Sequence, residues 1–542
     1  MNSNPKNDKS SQIKLDLDSQ EAFQLAGIIK ESSVCKNDSL LIKAFKEQVT
    51  LLEGEPAFLK LRSILCLIID FLEQGWQIQI EHKSKDDTNS LDINQAITIY
   101  MSPFDFSETK ESAEAIKNKM RLGLQVGAME NLRQDDTQKF IKRMHQDTVN
   151  RSAISSLIDS SDSLLKAFQD TNTSKGDYLK KVIDPYVQEV TPNTKDEFSN
   201  QYLSDIWRYF RLTWSLEHKN NPGRSMGFLI RNRARTNHPI IGISMLASPV
   251  LGLGPRDAEL GLTVKSFLDF VKNNKITLKR LIEMMQQDIT RSLRYLKKAD
   301  LISKNELASP NEQTLSKMMH TYERAIEKKE LAKKIGNDIE YEKYLFVGKR
   351  AMKLQKLLKQ KIALSALKKD EKKYRLSIEG CRENEAFKAI VKNFILSKRT
   401  QVMATDVMDM SVCGAVFPYN QLIGGKLVAL LMGSKEVADF FNSKYGSSEN
   451  EIATKMAGRS IRKKSTLRCL TTTSLYGTHS SQYNRLKLAM GTGKRPNQIE
   501  FKKLAKKTEG YGTFHFSNST LKILDEHYKT SGSVTSVNYK FG

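Results

Sequence analysis

Apolar residues follow two different periods along this chain, and the change of period divides it into regions. Strand-like apolar runs occupy residues 225–230 and 240–246 and flank a basic loop, so they predict a β-hairpin. Residues 407–416 form a third apolar run, which predicts a central strand. Between 263 and about 393 the apolar residues instead take the helical period among many charges, which predicts helices.

This pattern predicts an α+β protein with a helical N-terminal region, a mixed α/β C-terminal core and a long helical insertion. At 542 residues, the chain has room for about three domains. The order of strands and helices also fits a GNAT-like core, a fold analogy that by itself implies no reaction. The predicted regions are a disordered tail at 1–20, a mainly helical region at 21–200, an α/β core at 201–262 and 400–490, a basic helical insertion at 263–399 and a C-terminal tail at 491–542.

The chain carries 86 basic and 62 acidic side chains, a formal net charge of +24. Such a surplus favours a polyanionic partner, and nucleic acid is the commonest. No apolar run reaches the roughly 18 residues typical of a membrane helix, and the polar first residues predict no signal peptide. Five cysteines without a CxxC pair predict a reduced, cytoplasmic protein without a zinc-finger metal site.

Two basic segments carry the clearest functional signal. Residues 455–468 contain six cations and no acid, and three arginines alternate between the predicted hairpin strands. A charge run is usually a solvated face, but several runs in so basic a chain favour contacts with phosphate, which are salt-sensitive and weakly sequence-specific. We therefore predict nucleic acid, and DNA in the first place, as the partner of Arg231, Arg233, Arg235, Arg459, Arg462, Lys463, Lys464 and Arg468.

A glycine pair after the predicted central strand is a candidate cofactor site. Gln421, Gly424 and Gly425 resemble the Q/R-x-x-G-x-G/A turn with which GNAT-type acyltransferases hold the pyrophosphate of coenzyme A, although the second glycine comes one residue early. Backbone N–H groups at a helix start suit such an anion. The alternative interpretation is a tight strand-to-helix turn without a ligand, so the identity of any cofactor stays open.

Three residues are candidates for acid–base chemistry, and whether the protein is an enzyme stays open. Asp257 follows a glycine-rich loop, and its alternative role is a surface salt bridge. Asp406 and Asp409 flank the start of the predicted central strand, where two carboxylates suit Mg²⁺ in a nuclease. His479 lies among hydroxyl side chains and suits a general base or a hydrogen-bonded structural role.

Several of these blocks together resemble the DruA family of the Druantia anti-phage defence systems. The resemblance covers about residues 100–490. It includes P-G-R-S-M-G-F-L-I-R at 222–231, P-R-D at 255–257, M-D-M-S-V-C-G-A-V at 408–416 and G-G-K-L-V-A-L-L at 424–431. It implies a role in bacterial antiviral defence beside other proteins of the system, including a large helicase-like subunit, but no settled chemical activity.

We therefore expect a nucleic-acid-binding component of an anti-phage defence system. The alternatives are a GNAT-like enzyme that binds acyl-CoA through Gly424 and Gly425, and a Mg²⁺-dependent nuclease that uses Asp257 or Asp406. Single versus double strand, DNA versus RNA and the oligomeric state stay open.

Overall fold

A computed structural model describes most of the chain, and every structural statement below refers to the residues that it describes. These are residues 13–15, 22–27, 29, 38–73, 76–82, 97–103, 125, 128–129, 132–169, 180–214, 223–374, 385–473, 483–484, 486–490, 497–504 and 516–530. The candidate base His479 lies outside them.

Strands and helices alternate at both ends of the chain, with a helical stretch between them. The strands are β1 (Ile13–Lys14), β2 (Trp76–His82), β3 (Ile97–Pro103), β4 (Pro185–Val190), β5 (Ser225–Asn232), β6 (Ile240–Ala247), β7 (Val407–Ala415), β8 (Cys469–Thr471), β9 (Lys487–Met490) and β10 (Asn497–Glu500). The helices are α1 (Asp38–Leu51), α2 (Leu59–Glu73), α3 (Asp135–His145), α4 (Ser161–Gln169), α5 (Leu203–Leu212), α6 (Gly254–Glu259), α7 (Val264–Asn273), α8 (Leu278–Arg294), α9 (Lys304–Ala308), α10 (Glu312–Lys334), α11 (Asp338–Tyr374), α12 (Glu385–Thr405), α13 (Tyr419–Leu422), α14 (Lys426–Met432), α15 (Lys435–Tyr445), α16 (Glu451–Ala457) and α17 (Asn518–Thr530).

The chain divides into two compact units. The first contains residues 1–246, 411–432 and 472–542, and the second contains residues 247–410 and 433–471. In the first unit, β1, β3 and β2 form an antiparallel sheet in that order. Its apolar core is formed by α1, α2 and the sheet, and includes Phe45, Leu65 and Ile99.

A second sheet contains β4, β5, β6, β7 and β8 in that order. β4 runs antiparallel to β5, with Val187 opposite Ile230, whereas β7 runs parallel to β8. Nearly every residue of β5 and β6 is buried, as in strands that are covered on both faces. Helices α3 and α5 pack on this region through an apolar cluster that includes Phe140, Trp207 and Val412.

Close approach of β6 and β7 depends on a glycine. A Cβ atom at Gly242 would lie 2.5 Å from the Gly414 carbonyl oxygen and 2.5 Å from Val428 Cγ2, so no larger residue fits there. The Val416 N–H donates to the Ile241 carbonyl at 2.9 Å, and Ser244 Oγ donates to the Val412 carbonyl at 2.8 Å. The apolar run around 407–416 is therefore fixed against the hairpin strand by backbone contact.

The second unit is mainly helical. One apolar cluster joins α7, α8, α11 and α12 through residues such as Leu281, Leu364 and Phe387. Another includes Met318 of α10 with Leu354 and Leu358 of α11, two long helices joined by a short turn at 335–337. No helix of the described residues has both the length and the apolar character needed to cross a bilayer.

The predicted α+β class is confirmed. The hairpin strands predicted at 225–230 and 240–246 correspond to β5 and β6, and the central strand predicted at 407–416 corresponds to β7. Where the helical period was predicted, from 263 to about 393, the described chain is helical apart from its connecting turns, and the helices extend beyond these bounds to 254 and 405. Ile13 and Lys14 fall within the predicted N-terminal tail and pair with β3.

Candidate nucleic-acid interface

The candidate interface is an irregular segment of the second unit, residues 459–468, which we call the basic strap. It follows α16, which ends at Gly458 in a left-handed conformation with φ of 66°. Ile461 is buried and anchors the strap near its start. Its N–H donates to Thr454 Oγ1 at 2.9 Å and its carbonyl accepts from the Asn450 N–H at 2.9 Å. The start of the strap is thereby fixed to α16.

The second half of the strap is held through its backbone as well. The Ser465 N–H donates to the Gly446 carbonyl at 3.3 Å, and the Thr466 N–H donates to the Thr405 carbonyl at 3.1 Å. The Arg468 N–H donates to the Asp406 carbonyl at 2.9 Å, and the chain then enters β8. Asp406, a candidate metal ligand, thus lies beside the strap and binds its backbone through its own carbonyl.

The strap cations lie between these anchor points. Arg459, Arg462, Lys464 and Arg468 are exposed, and Lys463 is half-buried. Desolvation lowers the pKa of Lys463, whose Nζ lies 5.9 Å from the ring centroid of Tyr295. Within the described part of the chain, no carboxylate forms an ion pair with any of the five. They are positive charges on an anchored backbone, an arrangement that suits the phosphates of a polyanion.

The hairpin arginines are placed quite differently, and the prediction that Arg231 lies on the loop is wrong. Arg231 belongs to β5 and is fully buried in an ion pair with Asp196, which is also fully buried. Its Nη1 also donates to Gln188 Oε1 at 3.1 Å, and its Nε donates to the His238 carbonyl at 2.8 Å. The guanidinium of Arg231 therefore makes its contacts in the interior of the first unit and not at the surface.

Arg235 belongs to a second internal network. Its Nε donates to Asp159 Oδ2 at 3.1 Å, and the same oxygen accepts from the Tyr419 hydroxyl at 2.7 Å. Asn232 Nδ2 donates to that hydroxyl at 2.8 Å, while burial raises the pKa of Tyr419. Only Arg233 of the three is exposed, and its Nη1 lies 3.7 Å from Asp184 Oδ2. The structure therefore does not bring the hairpin arginines together as one outward-facing basic surface.

The glycine pair lies where the sequence places it, after an additional short helix. β7 ends at Ala415, α13 follows, and Gly424 then takes the left-handed conformation with φ of 55°. This conformation favours glycine whether or not a ligand binds. The Gly425 carbonyl accepts the first backbone hydrogen bond of α14, from Ala429 at 3.0 Å, and Gln421 is exposed. Coenzyme A binding at this turn stays a prediction.

Asp257 is only 1% exposed, and both of its oxygens are occupied. Oδ1 accepts from Arg256 Nε at 3.0 Å and Nη2 at 2.7 Å. Oδ2 accepts from Arg399 Nη1 at 3.0 Å and from the Leu253 N–H at 3.1 Å. The alternative role as a salt bridge therefore holds, but the bridge is buried and not on the surface.

Asp409, which the sequence pairs with Asp406, accepts from Thr471 Oγ1 at 2.9 Å. Burial raises the pKa of Asp409, and Thr471 and the positive charge of Arg256 act in the opposite direction. Among the described residues, no group of three or more His, Cys, Asp or Glu side chains is arranged to hold a metal ion.

Comparison with known proteins identifies the family. The family model described as Druantia protein DruA matches residues 131–273 and 394–542, more than half of the chain. The chain therefore belongs to the DruA family. The matched segments contain the hairpin, Asp257, the glycine pair and the whole basic strap.

A curated relative, the Druantia protein DruA of Escherichia coli (strain UMEA 4076-1), is 36% identical over 137 residues. The alignment covers 25% of this chain and 30% of the relative, so the similarity spans less than a third of the relative's length. No solved structure matches the chain.

Proposed function

We propose that this protein is a cytoplasmic, nucleic-acid-binding component of a Druantia anti-phage defence system, and that the basic strap holds the phosphates. Membership of the DruA family supports the assignment to the defence system. The observation that carries the binding function is the set of strap cations on an anchored backbone, without ion-pair partners in the described part of the chain. DNA and the other proteins of the system, a large helicase-like subunit among them, are the proposed partners.

The strap suits phosphate binding for two physical reasons. First, its backbone is anchored at Ile461, Ser465 and Arg468, so less conformational entropy is lost when its side chains take up a ligand. Second, none of the ion pairs among the described residues involves a strap cation, so none of them has to be broken before a phosphate binds. Lys455, just before the strap, shows the contrast because its Nζ is paired with Glu342. Phosphate contacts of this kind release counterions and carry little sequence information.

The test is a salt titration of DNA binding. In the strap triple variant, Arg462, Lys463 and Lys464 are each replaced by Ala. The matched control replaces Lys265, Lys272 and Lys279, three exposed lysines on α7 and α8 of the same unit, and changes the net charge equally. Fluorescence anisotropy with a labelled duplex should show weaker binding by the strap variant across unrelated sequences. The slope of log K against log salt should fall by about 0.9 for each lost phosphate contact.

The control variant with Lys265, Lys272 and Lys279 replaced should keep nearly the wild-type slope of log K against log salt, because it removes positive charge without removing a proposed phosphate contact. Equal affinities and slopes for the two triples would refute the strap as the binding site. Failure of the wild-type protein to bind DNA or RNA at low salt would refute nucleic-acid binding altogether.

A further inference from the structure

An aromatic ring lies beside the basic strap and is accessible to solvent. Tyr295, directly after α8, is 37% exposed. Lys463 of the strap places its Nζ 5.9 Å from the Tyr295 ring centroid. Within the described residues this ring has no other aromatic neighbour. An exposed ring next to cations is the combination with which proteins bind unpaired nucleobases, since the ring stacks on the base and the cations hold its phosphate.

The segment that carries Tyr295 is fixed to the end of α16, which leads directly into the strap. The Lys297 N–H donates to the Met456 carbonyl at 2.9 Å, and the Lys297 carbonyl accepts from Arg350 Nη1 at 3.0 Å. A Cβ atom at Gly458 would lie 2.8 Å from Lys297 Cδ, so the glycine permits the lysine stem to lie against the end of α16. The ring and the strap are therefore held together before any ligand arrives, which lowers the entropic cost of binding.

Lys463 is the cation of the strap that stands beside this ring. It is half-buried, desolvation lowers its pKa, and it has no ion-pair partner among the described residues. A bound phosphate would therefore supply the opposite charge that favours the ammonium form of Lys463.

We propose that Tyr295 and Lys463 bind single-stranded nucleic acid, with a base stacked on the Tyr295 ring and the neighbouring phosphate held by Lys463. This inference rests on the proposed function and specifies its substrate. The ring selects single strands because the faces of the bases are covered in a duplex by their neighbours in the stack. The strap cations bind the phosphates of either form.

The experiment compares a labelled single-stranded thymidine 15-mer with a duplex of the same length, both by fluorescence anisotropy. Tyr295→Leu should weaken binding of the single strand about tenfold, which is the loss expected when one base loses its aromatic stacking partner. Binding of the duplex should stay within about twofold. Tyr295→Phe keeps the ring and should bind the single strand nearly as well as the wild type.

Tyr202 provides the matched control, because it is an exposed tyrosine of the first unit with Lys195 Nζ 5.5 Å from its ring centroid. Tyr202→Leu should change neither the affinity for the single strand nor the affinity for the duplex. A fifth protein, Tyr295→Trp, adds an indole to the three tryptophans of the chain. Relative to the wild type, its fluorescence should show additional quenching when the single strand binds and none when the duplex binds. This signal also tests the proposal if Tyr295→Leu does not fold.

The outcomes separate this inference from the proposed function. An equal loss of single-strand and duplex binding in Tyr295→Leu, or no loss in either, would overturn the stacking role while the strap remains the phosphate site. Quenching by both ligands would overturn the selectivity for single strands. If the wild-type protein binds neither ligand, or if the strap triple variant binds both normally, the proposed function itself fails and the inference fails with it.

Discussion

The β5–β6 hairpin and the basic strap are both rich in cations in the sequence, yet their side chains face different surroundings. In the hairpin, Arg231 and Arg235 are paired with Asp196 and Asp159 of the same unit. In the strap, the cations stand between backbone anchor points and pair with no carboxylate of the described residues. One segment uses its charge to organise the interior, and the other presents its charge to solvent.

The difference comes from acids that lie far away in the chain. Asp196 reaches Arg231 across 35 positions, and Asp159 reaches Arg235 across 76 positions. The local sequence of either basic segment says nothing about these partners. A run of cations therefore indicates a binding surface only after its carboxylate partners have been identified.

The largest expected effect is a loss of stability when the buried ion pair of Arg231 and Asp196 is broken. Arg231→Ala should lower the free energy of unfolding by about 3–5 kcal/mol, because it leaves the Asp196 charge buried and unpaired. It also removes the donor for the carbonyls of Asn237 and His238, two non-glycine residues with φ of 61° and 45°. Arg462→Ala in the strap should change the same quantity by no more than about 0.5 kcal/mol. Denaturant titration measures both, and similar values would remove the distinction between the two segments.

Smaller effects on the free energy of unfolding are expected for the other two hairpin arginines. Arg235→Ala should lower the free energy of unfolding by about 1–3 kcal/mol, since its partner Asp159 is largely buried and, among the described residues, keeps only the Tyr419 hydroxyl as a side-chain donor. Arg233→Ala should cost less than about 1 kcal/mol because both members of its ion pair are exposed. The same denaturant titration gives the order Arg231, Arg235, Arg233. If Arg233 proved the most costly, burial would not be the quantity that separates these residues.

Local patterns were sufficient for the secondary structure near the site. The apolar runs that predict β5, β6 and β7 and the helical period between 263 and about 393 all depend on neighbouring residues, and the structure agrees with them. The contacts that define the site depend on distant residues. Tyr419 meets Asp159 across 260 positions, and Thr405 supports the strap at Thr466. No pattern in the neighbouring sequence predicts either contact.

Tyr295 shows the same limit for the candidate site itself. It stands in a charged helical stretch and has no motif around it, and its proximity to Lys463 is the observation that led to the proposed role in binding. Composition did identify the strap, because an acid-free run keeps its charge wherever the fold places it. The strap's shape was not predictable, since its anchors are single hydrogen bonds from an irregular segment to α12, α15 and α16.

The smallest expected effect extends the comparison from cations to buried acids. Asp196 has an arginine partner in direct contact, whereas Asp409 has a direct hydrogen bond only from Thr471 among the contacts described above. Burial raises the pKa of Asp409, so the folded protein binds its proton more tightly than the unfolded chain does. Stability therefore falls as the pH rises from the pKa of the unfolded aspartate through that of the folded one.

Asp409→Asn removes this loss of stability at higher pH, because asparagine does not ionise. It keeps a side-chain oxygen that can accept from Thr471 Oγ1. At pH 7 the variant should be as stable as the wild type or more stable by up to about 1 kcal/mol, and the difference should shrink as the pH falls toward 4. Denaturant midpoints at three pH values give the comparison. A variant that is clearly less stable than the wild type at pH 7 would show that the attraction of Arg256 outweighs burial, and that Asp409 belongs with Asp196 among the acids that stabilise the fold through a paired charge.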